Sequence, residues 1–381
     1  MQYREIGKTG LRASLLGMGC MRLPFVNGDG NQGVDRELAF ELLRHAADSG
    51  INYFDTAFGY HGGQSEAIMG EALESRRKDL IYVTKQPPWE MHDIPTIRRN
   101  LENTLKKLRT DYMDIYLMHR VMPATWDDIK EKQLLKQFEI FKEEGLIRHI
   151  GCSYHGNYEH FTKVAQEYPW EVCKVQHNML DMKREATKEG IEFAGARGIG
   201  VAIMEPLRGG GLAYAPPVVQ KVYDASEHQR SPAEWAFRYL ADIPEISVIV
   251  SGMSNMQQLE CNLAMFNQAD MPSPLSAAEK ATITAARQAY ESIITINCTA
   301  CNYCIPCPQG VQIPGIFGNY NDAHRFGHFD QPRRAYMFAT RAGGDATKCN
   351  ACGACVEKCP QGVDVVKDLQ TAHEALKGWN E

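Results

Sequence analysis

Residues 36–57, RELAFELLRHAADSGINYFDTA, contain the repeating unit that decides the fold. Apolar residues recur at helical spacing from Arg36 to Gly50, and the glycine is a typical helix stop. The short apolar and aromatic segment Tyr53–Thr56 follows at once and is typical of a strand. A helix joined closely to a strand is the building block of an alternating α/β fold.

The same alternation continues on both sides of this unit, over about the first 270 residues. Several strand candidates are apolar throughout, as parallel strands covered on both faces should be. Helical periodicity lies between them, for example in 94–108 and 126–144. The predicted strands are Leu15–Gly19, Tyr53–Thr56, Ile81–Lys85, Asp114–His119, Ile147–Ser153, Lys174–His177, Gly200–Met204 and Ser247–Ser251. Eight such units predict a (β/α)8 TIM barrel.

The alternative architecture is an open, doubly wound sheet, which normally has a glycine-rich phosphate turn after its first strand. The sequence Gly17-Met-Gly-Cys20 is too short for that turn, so the barrel is favoured. Ahead of the barrel, residues 3–17 (YREIGKTGLRASLLG) predict a β-hairpin around Lys8-Thr9-Gly10 that closes the bottom of the barrel.

Composition excludes several classes of protein. The chain has 381 residues, of which 44% are hydrophobic and 23% charged, so it is not a largely disordered chain. The net charge of −6 and the dispersed Lys and Arg residues give no sign of a nucleic-acid partner. No apolar run approaches the roughly 20 residues of a membrane span. The first ten residues, MQYREIGKTG, lack an apolar signal region, so we expect a cytoplasmic protein.

Cysteines concentrate sharply near the end of the chain: of 12, 8 lie between Cys298 and Cys359. In a reducing compartment such a cluster indicates metal or redox chemistry rather than disulfides. A helix predicted over 276–294, with Ser276 as cap and Glu279 three residues later, leads into this region. We therefore predict a barrel over 1–275, a linking helix over 276–297 and a cysteine-rich domain over 298–381.

Two cysteine motifs define that last domain: Cys298-x2-Cys301-x2-Cys304-x2-Cys307-Pro308 and Cys349-x2-Cys352-x2-Cys355-x3-Cys359-Pro360. Three closely spaced thiolates let one loop wrap a face of an iron–sulfur cube, whereas structural zinc usually takes two separated cysteine pairs. Zinc remains the alternative. The segment resembles a ferredoxin-type α+β domain with two [4Fe–4S] clusters, although its first motif is one residue short. The resemblance implies cross-ligation: Cys298, Cys301 and Cys304 with Cys359, and Cys349, Cys352 and Cys355 with Cys307.

Polar side chains end three neighbouring barrel strands, at the face where this fold places its active sites. Asp55 lies at the end of the second strand and Tyr60 just after it, Lys85 ends the third, and His119 ends the fourth. A lysine cation held by an aspartate would stabilise phenolate and make a tyrosine hydroxyl a better proton donor. The histidine would orient a carbonyl or help to pass the proton.

With these residues, the first 270 positions or so resemble an aldo-keto reductase. The resemblance rests on Tyr3–Leu11, Asp55-Thr-Ala with Tyr60 and Ser65-Glu66, Lys85, His119, Gly151-Cys-Ser153, Gln176, Glu205-Pro-Leu207, and Ser251-Gly252 with Gln258–Asn262. It implies a general acid/base at Tyr60, tuned by Lys85 and Asp55 and assisted by His119. It also implies hydride transfer between NADPH or NADH and a small carbonyl or alcohol substrate.

The nucleotide contacts are likewise implied by the resemblance. Ser153 and Gln176 would hold the nicotinamide carboxamide, and Met204 stands where the family usually has an aromatic ring. The remaining candidates for the nucleotide site are Gly19, Cys20, Met21, Pro206, Leu207, Arg208, Ser251, Gly252, Ser254, Gln258 and Asn262.

The choice of nucleotide stays open at this point. The family usually places a basic residue near Met253 or Gln258 for the 2′-phosphate of NADPH, but no Lys or Arg occurs from 251 to 278. Arg208 is the nearest candidate to replace it. In the loop after the third strand, Trp89 is the expected substrate contact, and the alternative is that it only caps the barrel rim.

A hydride carries two electrons and a cluster usually passes one, so the two halves of the chain allow three hypotheses. The first is a carbonyl reductase whose clusters dock a ferredoxin or another electron-transfer protein, or serve only the structure. The second is a cluster-driven reductase whose barrel binds the substrate, with a flavin or a radical-capable substrate as converter, although no flavin motif is visible in the sequence. The third is a non-catalytic, nicotinamide-binding redox sensor.

Overall fold

The computed structural model describes residues 1–26, 33–271, 273–298 and 300–378. It divides the chain into two compact units. The first comprises Met1–Arg208 and Glu234–Leu275, and the second comprises Gly209–Ala233 and Ser276–Glu381. No helix in the described ranges is both long and apolar enough to cross a bilayer.

The first unit is a closed barrel of eight parallel strands in the order β10-β3-β4-β5-β6-β7-β8-β9, which confirms the predicted (β/α)8 fold. An antiparallel hairpin of β1 (Tyr3–Glu5) and β2 (Arg12–Ser14) precedes it. The barrel strands are β3 (Leu16–Gly19), β4 (Tyr53–Asp55), β5 (Ile81–Gln86), β6 (Met113–Val121), β7 (Ile147–Tyr154), β8 (Val172–Gln176), β9 (Gly200–Met204) and β10 (Ile246–Ser251).

The hairpin closes the amino-terminal end of the barrel, as the sequence predicts. Ile6 and Ala13 belong to the same buried cluster as the inward-facing Ile115 and Val248. The backbone nitrogen of Lys8 donates to the carbonyl of Gly198, just before β9 begins.

Helices alternate with the strands in the first unit, and their apolar faces pack on the sheet. They are α1 (Arg36–Asp48), α2 (Ser65–Leu73), α3 (Ile94–Lys107), α4 (Pro123–Glu131), α5 (Leu134–Glu143), α6 (Tyr158–Glu167), α7 (Thr187–Gly195), α9 (Pro232–Ala241) and α10 (Met256–Phe266). The helices of the second unit are α8 (Pro217–Asp224), α11 (Ala277–Glu291), α12 (Ile313–Phe326), α13 (Asp330–Arg341), α14 (Ala354–Glu357) and α15 (Val365–Leu376).

The second unit includes a segment that the sequence assigns to the barrel domain, residues 209–233. Its α8 packs against α11, and the Tyr290 hydroxyl donates to the carbonyl of Tyr214 at 3.1 Å. Arg230 pairs with Glu279, the residue that also completes the predicted capping box at Ser276. The linking helix is therefore part of a compact unit rather than a free connector.

The cysteine-rich part of this unit is organised by helices. Ile316 and Phe317 of α12, Tyr336 of α13 and Leu369 of α15 share one buried cluster, against which six cluster-motif cysteines pack. The sequence predicts an α+β arrangement, yet the described residues from 276 to 378 contain helices and irregular loops without a strand. The short cysteine loops are rich in Gly and Pro, so they leave little continuous chain for the pairing of β-strands.

Candidate functional site

The four predicted catalytic residues converge at the carboxyl-terminal end of the barrel. Asp55 ends β4, Lys85 lies near the end of β5, and His119 lies near the end of β6. Side chains alternate along a strand, so the residues that follow the buried Tyr53 and Val83 by two positions also face inward. Tyr60 begins a 3₁₀ turn just after β4 and reaches the same place.

A buried ion pair forms the centre of the site. Lys85 Nζ lies 2.7 Å from Asp55 Oδ1, and it also donates to the carbonyl of Thr56 at 2.5 Å. The same ammonium is 3.4 Å from the Tyr60 hydroxyl and 4.8 Å from the centre of its ring. His119 meets the Tyr60 ring edge-on, with centroids 6.4 Å apart. These contacts place a proton donor, a cation and an imidazole within one small volume.

A second lysine, which the sequence does not predict, completes the centre. Lys174 of β8 is 4% exposed, and its Nζ lies 2.6 Å from the same Asp55 oxygen. Burial opposes ionisation of Asp55, but Lys174 and Lys85 outweigh it, so the pKa of Asp55 is lowered. Burial lowers the pKa of Lys174, and the charge of Asp55 acts against that shift. The only sequence signal is one charged residue among the apolar residues Val172, Cys173 and Val175.

Burial sets the protonation of the two candidate proton carriers. It raises the pKa of Tyr60 to about 12, with the charge of Lys174 acting in the opposite direction. It lowers the pKa of His119 to about 2, a shift that Lys85 reinforces. At neutral pH the phenol therefore holds its proton and the imidazole is neutral. The sequence predicts a phenol acidified by lysine, but desolvation outweighs that effect.

The predicted carboxamide residues lie on three adjacent strands, β7, β8 and β9. Gln176 Nε2 donates to Asp181 Oδ2 at 2.6 Å, and the buried Gln176 Oε1 has no hydrogen-bond partner among the residues described. Ser153 is buried beside His155, with Oγ and Nε2 3.3 Å apart, and Met204 pairs in register with Gln176. A buried, unpartnered acceptor suits the amide N–H of a nicotinamide, so these residues fit the group.

The residues predicted for the adenosine end gather where β10 meets β3 and α10 begins. Asn262 Nδ2 donates to Ser251 Oγ at 3.1 Å, and Gln258 Oε1 accepts from the Ser254 backbone at 2.8 Å. A Cβ built on Gly19 would lie 3.3 Å from the Ser251 carbonyl. The flanking Cys20 is buried and Met21 is 58% exposed.

Arginine is present here at a position that the sequence analysis missed. A Cβ built on Gly252 would lie 3.2 Å from Cβ of Arg22, which follows β3 in the chain but lies alongside the β10 loop. Arg208, the arginine that the sequence favours, instead pairs with Asp181, with Nη1 and Oδ1 2.5 Å apart. Of the two candidates just before it in the chain, Pro206 is buried and Leu207 is half-buried. The Asp181 carboxylate thus joins Arg208 to Gln176.

Trp89 lies in the 3₁₀ turn after β5 and is 50% exposed. The guanidinium of Arg120 lies over its ring, 5.8 Å from the centroid. An exposed indole beside a strand end is available for a substrate, and this role stays a prediction.

The cysteines of the second unit fall into two groups. A cavity is lined by Cys298, Cys301, Cys304 and Cys359, together with apolar residues including Phe317. Within the described ranges, no three Cys, His, Asp or Glu side chains converge on one metal ion. Four thiols around a cavity suit a cube of iron and sulfide, so the residues fit the group.

The second group repeats the pattern. The Cys355 thiol has the charges of Cys349, Cys307 and Cys352 as electrostatic neighbours. With Cys355, these are the four cysteines that cross-ligation assigns to one cluster. Cys301 and Cys352 are exposed, whereas the other motif cysteines are half-buried.

Comparison with known proteins agrees with this geometry. Residues 15–285 match the aldo/keto reductase family, and residues 297–363 match a 4Fe-4S dicluster domain. The uncharacterised oxidoreductase YqkF of Bacillus subtilis is 28% identical over 298 residues, covering 70% of this chain and 92% of that protein. The NADH-specific methylglyoxal reductase of Escherichia coli is 26% identical over 315 residues, covering 70% and 94%. The solved aldo-keto reductase AKR11C1 of Bacillus halodurans aligns with a TM-score of 0.62 at 25% identity, covering 75% and 96%.

Proposed function

The chain belongs to the aldo/keto reductase family, and from that premise we propose that its barrel reduces a small carbonyl compound with NADH or NADPH. The observation that carries the proposal is the buried Lys85–Asp55 pair with its ammonium 3.4 Å from the Tyr60 hydroxyl. Positioned charge next to a proton donor is what a general acid requires.

The nucleotide supplies the hydride when it is bound. Tyr60 donates its proton to the substrate oxygen, and Lys85 stabilises the negative charge left on the phenol. His119 is neutral, so it orients the carbonyl through a hydrogen bond rather than acting as a cationic acid. Trp89 covers the substrate on the side of the loop after β5.

Two groups of barrel residues hold the nucleotide in this proposal. Gln176 Oε1 accepts from the carboxamide, with Asp181 fixing the orientation of the side chain. Residues at the end of β10 and the start of α10 hold the phosphate end, with Arg22 beside Gly252. The segment 251–278 has no Lys or Arg, and the Escherichia coli relative is named NADH-specific, so we propose that NADH is accepted at least as well as NADPH.

The dicluster domain gives the protein a one-electron function in addition. We propose two [4Fe–4S] clusters, which supply one-electron transfer when bound. Cys301 and Cys352 are exposed, one in each group, so each cluster presents an edge to a soluble electron-transfer protein. Anaerobic EPR and visible spectra before and after addition of NADH or NADPH test whether the clusters also exchange electrons with the barrel. Unchanged clusters would support partner docking over a cluster-driven reductase.

The experiment for the barrel compares Tyr60→Phe with wild type on small aldehydes and ketones that include methylglyoxal. Loss of the general acid is expected to lower kcat by about 10²–10⁴-fold. Binding of NADH and NADPH, followed by protein fluorescence, is expected to persist. Tyr214→Phe is the matched control, because Tyr214 is 72% exposed and belongs to the second unit. Nucleotide binding without turnover in the wild type would favour the sensor hypothesis instead.

A further inference from the structure

The barrel centre holds more positive charge than a Tyr–Lys–Asp arrangement needs. Lys85 and Lys174 are 1% and 4% exposed, and both ammonium groups lie within 2.7 Å of one oxygen of Asp55. The other oxygen, Oδ2, is buried and makes no hydrogen bond within the described part of the chain. Two cations and one anion leave a net charge of +1 in a buried site.

A buried lysine is costly, so its presence needs a compensating role. Val172, two positions earlier on β8, lies on the same face of the strand and belongs to the apolar barrel core. This face of β8 therefore accepts an apolar side chain. Lys85 alone provides one partner for Asp55. The second ammonium pairs with the same oxygen and, in addition, places a second cation in the environment of Tyr60.

We infer that Lys174 is a positioning residue: by sharing Asp55 with Lys85, it holds a net positive charge beside the Tyr60 hydroxyl and so favours release of the phenolic proton. The inference rests on the proposed role of Tyr60 as general acid. It assigns to β8 a member of the proton-donating centre in addition to the four residues on β4, β5, β6 and the turn after β4.

Other charged and titratable groups also face Tyr60. They are Asp55 of β4, Lys85 of β5, His119 of β6, Lys174 of β8, Cys20 after β3 and Glu205 after β9. Asp55, Cys20 and Glu205 raise the pKa of Tyr60 and burial raises it most, while Lys174 is the main influence that lowers it. His119 is neutral at neutral pH and adds no charge.

The test places a fluorinated tyrosine, whose phenol titrates near neutral pH, at position 60 of the full-length anaerobic protein. Its ionisation is followed by ¹⁹F NMR in Lys174→Gln, Lys174→Arg and wild type. Gln retains a donor for Asp55 but removes the charge, so the midpoint is expected to rise by about one to three pH units. Lys174→Arg keeps the cation and is expected to titrate at or below the wild-type midpoint.

The matched control is Lys142→Gln, which removes an ion pair with Glu171 before the start of β8, at the far end of the barrel. It is expected to leave the midpoint unchanged. A folded Lys174→Gln protein with the wild-type midpoint would overturn the inference. If that variant does not fold, a midpoint in Lys174→Arg that lies above wild type would overturn it. The titration needs neither substrate nor nucleotide, so an inactive wild type would count against the proposed function alone.

Discussion

Replacing Asp55 with Asn tests the electrostatic centre most severely. The substitution keeps the shape of the side chain, so it creates no cavity, but it leaves two buried ammonium groups without their anion. Removing one partner of a buried ion pair costs about 3–5 kcal/mol. Because two cations lose the same partner, we expect Asp55→Asn to lower the free energy of unfolding by about 4–5 kcal/mol at pH 7.

The coupling to Lys174 sharpens this expectation. Adding Lys174→Gln to Asp55→Asn removes one of the unpaired charges, so the double variant should recover about 1–3 kcal/mol. The pH dependence has a definite sign. Asp55 has a lowered pKa, so its stabilisation is present above its unfolded pKa and is lost as pH falls through its folded pKa. The pKa of Lys174 is lowered in the folded protein, so the unfolded chain binds more protons and the free energy of unfolding rises with pH. In Asp55→Asn this rise should begin at a lower pH, because Lys174 has lost the anion that raises its pKa.

Urea unfolding followed by tryptophan fluorescence measures these differences. Four of the five tryptophans, Trp89, Trp126, Trp170 and Trp235, lie in the barrel unit, so the signal reports that unit. Visible absorption of the clusters follows the second unit separately, because two units need not unfold together. A loss below about 1 kcal/mol in Asp55→Asn, or no recovery in the double variant, would refute the proposed charge arrangement.

Three further predictions follow from the site. Gln258→Arg should tighten NADPH binding by about 10–100-fold and leave NADH binding nearly unchanged, since a charged hydrogen bond contributes about 1.5–3 kcal/mol; fluorescence titration of both nucleotides checks this, and equal effects on the two would contradict it. The pH profile of carbonyl reduction should lack an acid limb from His119 between pH 5 and 8, because its pKa is about 2; a limb that disappears in His119→Gln would contradict it. Cross-ligation predicts that Cys298→Ser/Cys359→Ser retains about half of the bound iron while Cys298→Ser/Cys349→Ser loses nearly all, as iron and sulfide analysis would measure; equal losses in the two double variants would exclude that pairing.

The barrel could be predicted because its information is local. Several of the strands from β3 to β10 are short apolar runs, and the period of two places Asp55, Lys85 and His119 on the inner face at one end. Lys174 was missed because the predicted strand begins at that residue, which would leave the lysine at an exposed end. The observed strand begins at Val172, so Lys174 lies inside the barrel.

Long-range packing accounts for the other differences. Nothing in the local pattern of residues 209–233 indicates that α8 packs on α11. Arg208 is positioned by Asp181, which lies 27 residues earlier, and Arg22 reaches Gly252 only because β10 and β3 are neighbours in the closed sheet. Such pairings depend on tertiary structure and leave no spacing signal in the chain.

Deuterium transfer tests the central claim most directly. The full-length protein, kept without oxygen, would be given a small aldehyde with NADH or NADPH in which both C4 hydrogens are deuterium, and the alcohol product examined by mass spectrometry and NMR. The account predicts deuterium at the former carbonyl carbon in the wild type and a loss of about 10²-fold or more in Tyr60→Phe at saturating nucleotide. Alcohol formed without deuterium, or turnover undiminished in Tyr60→Phe, would contradict it.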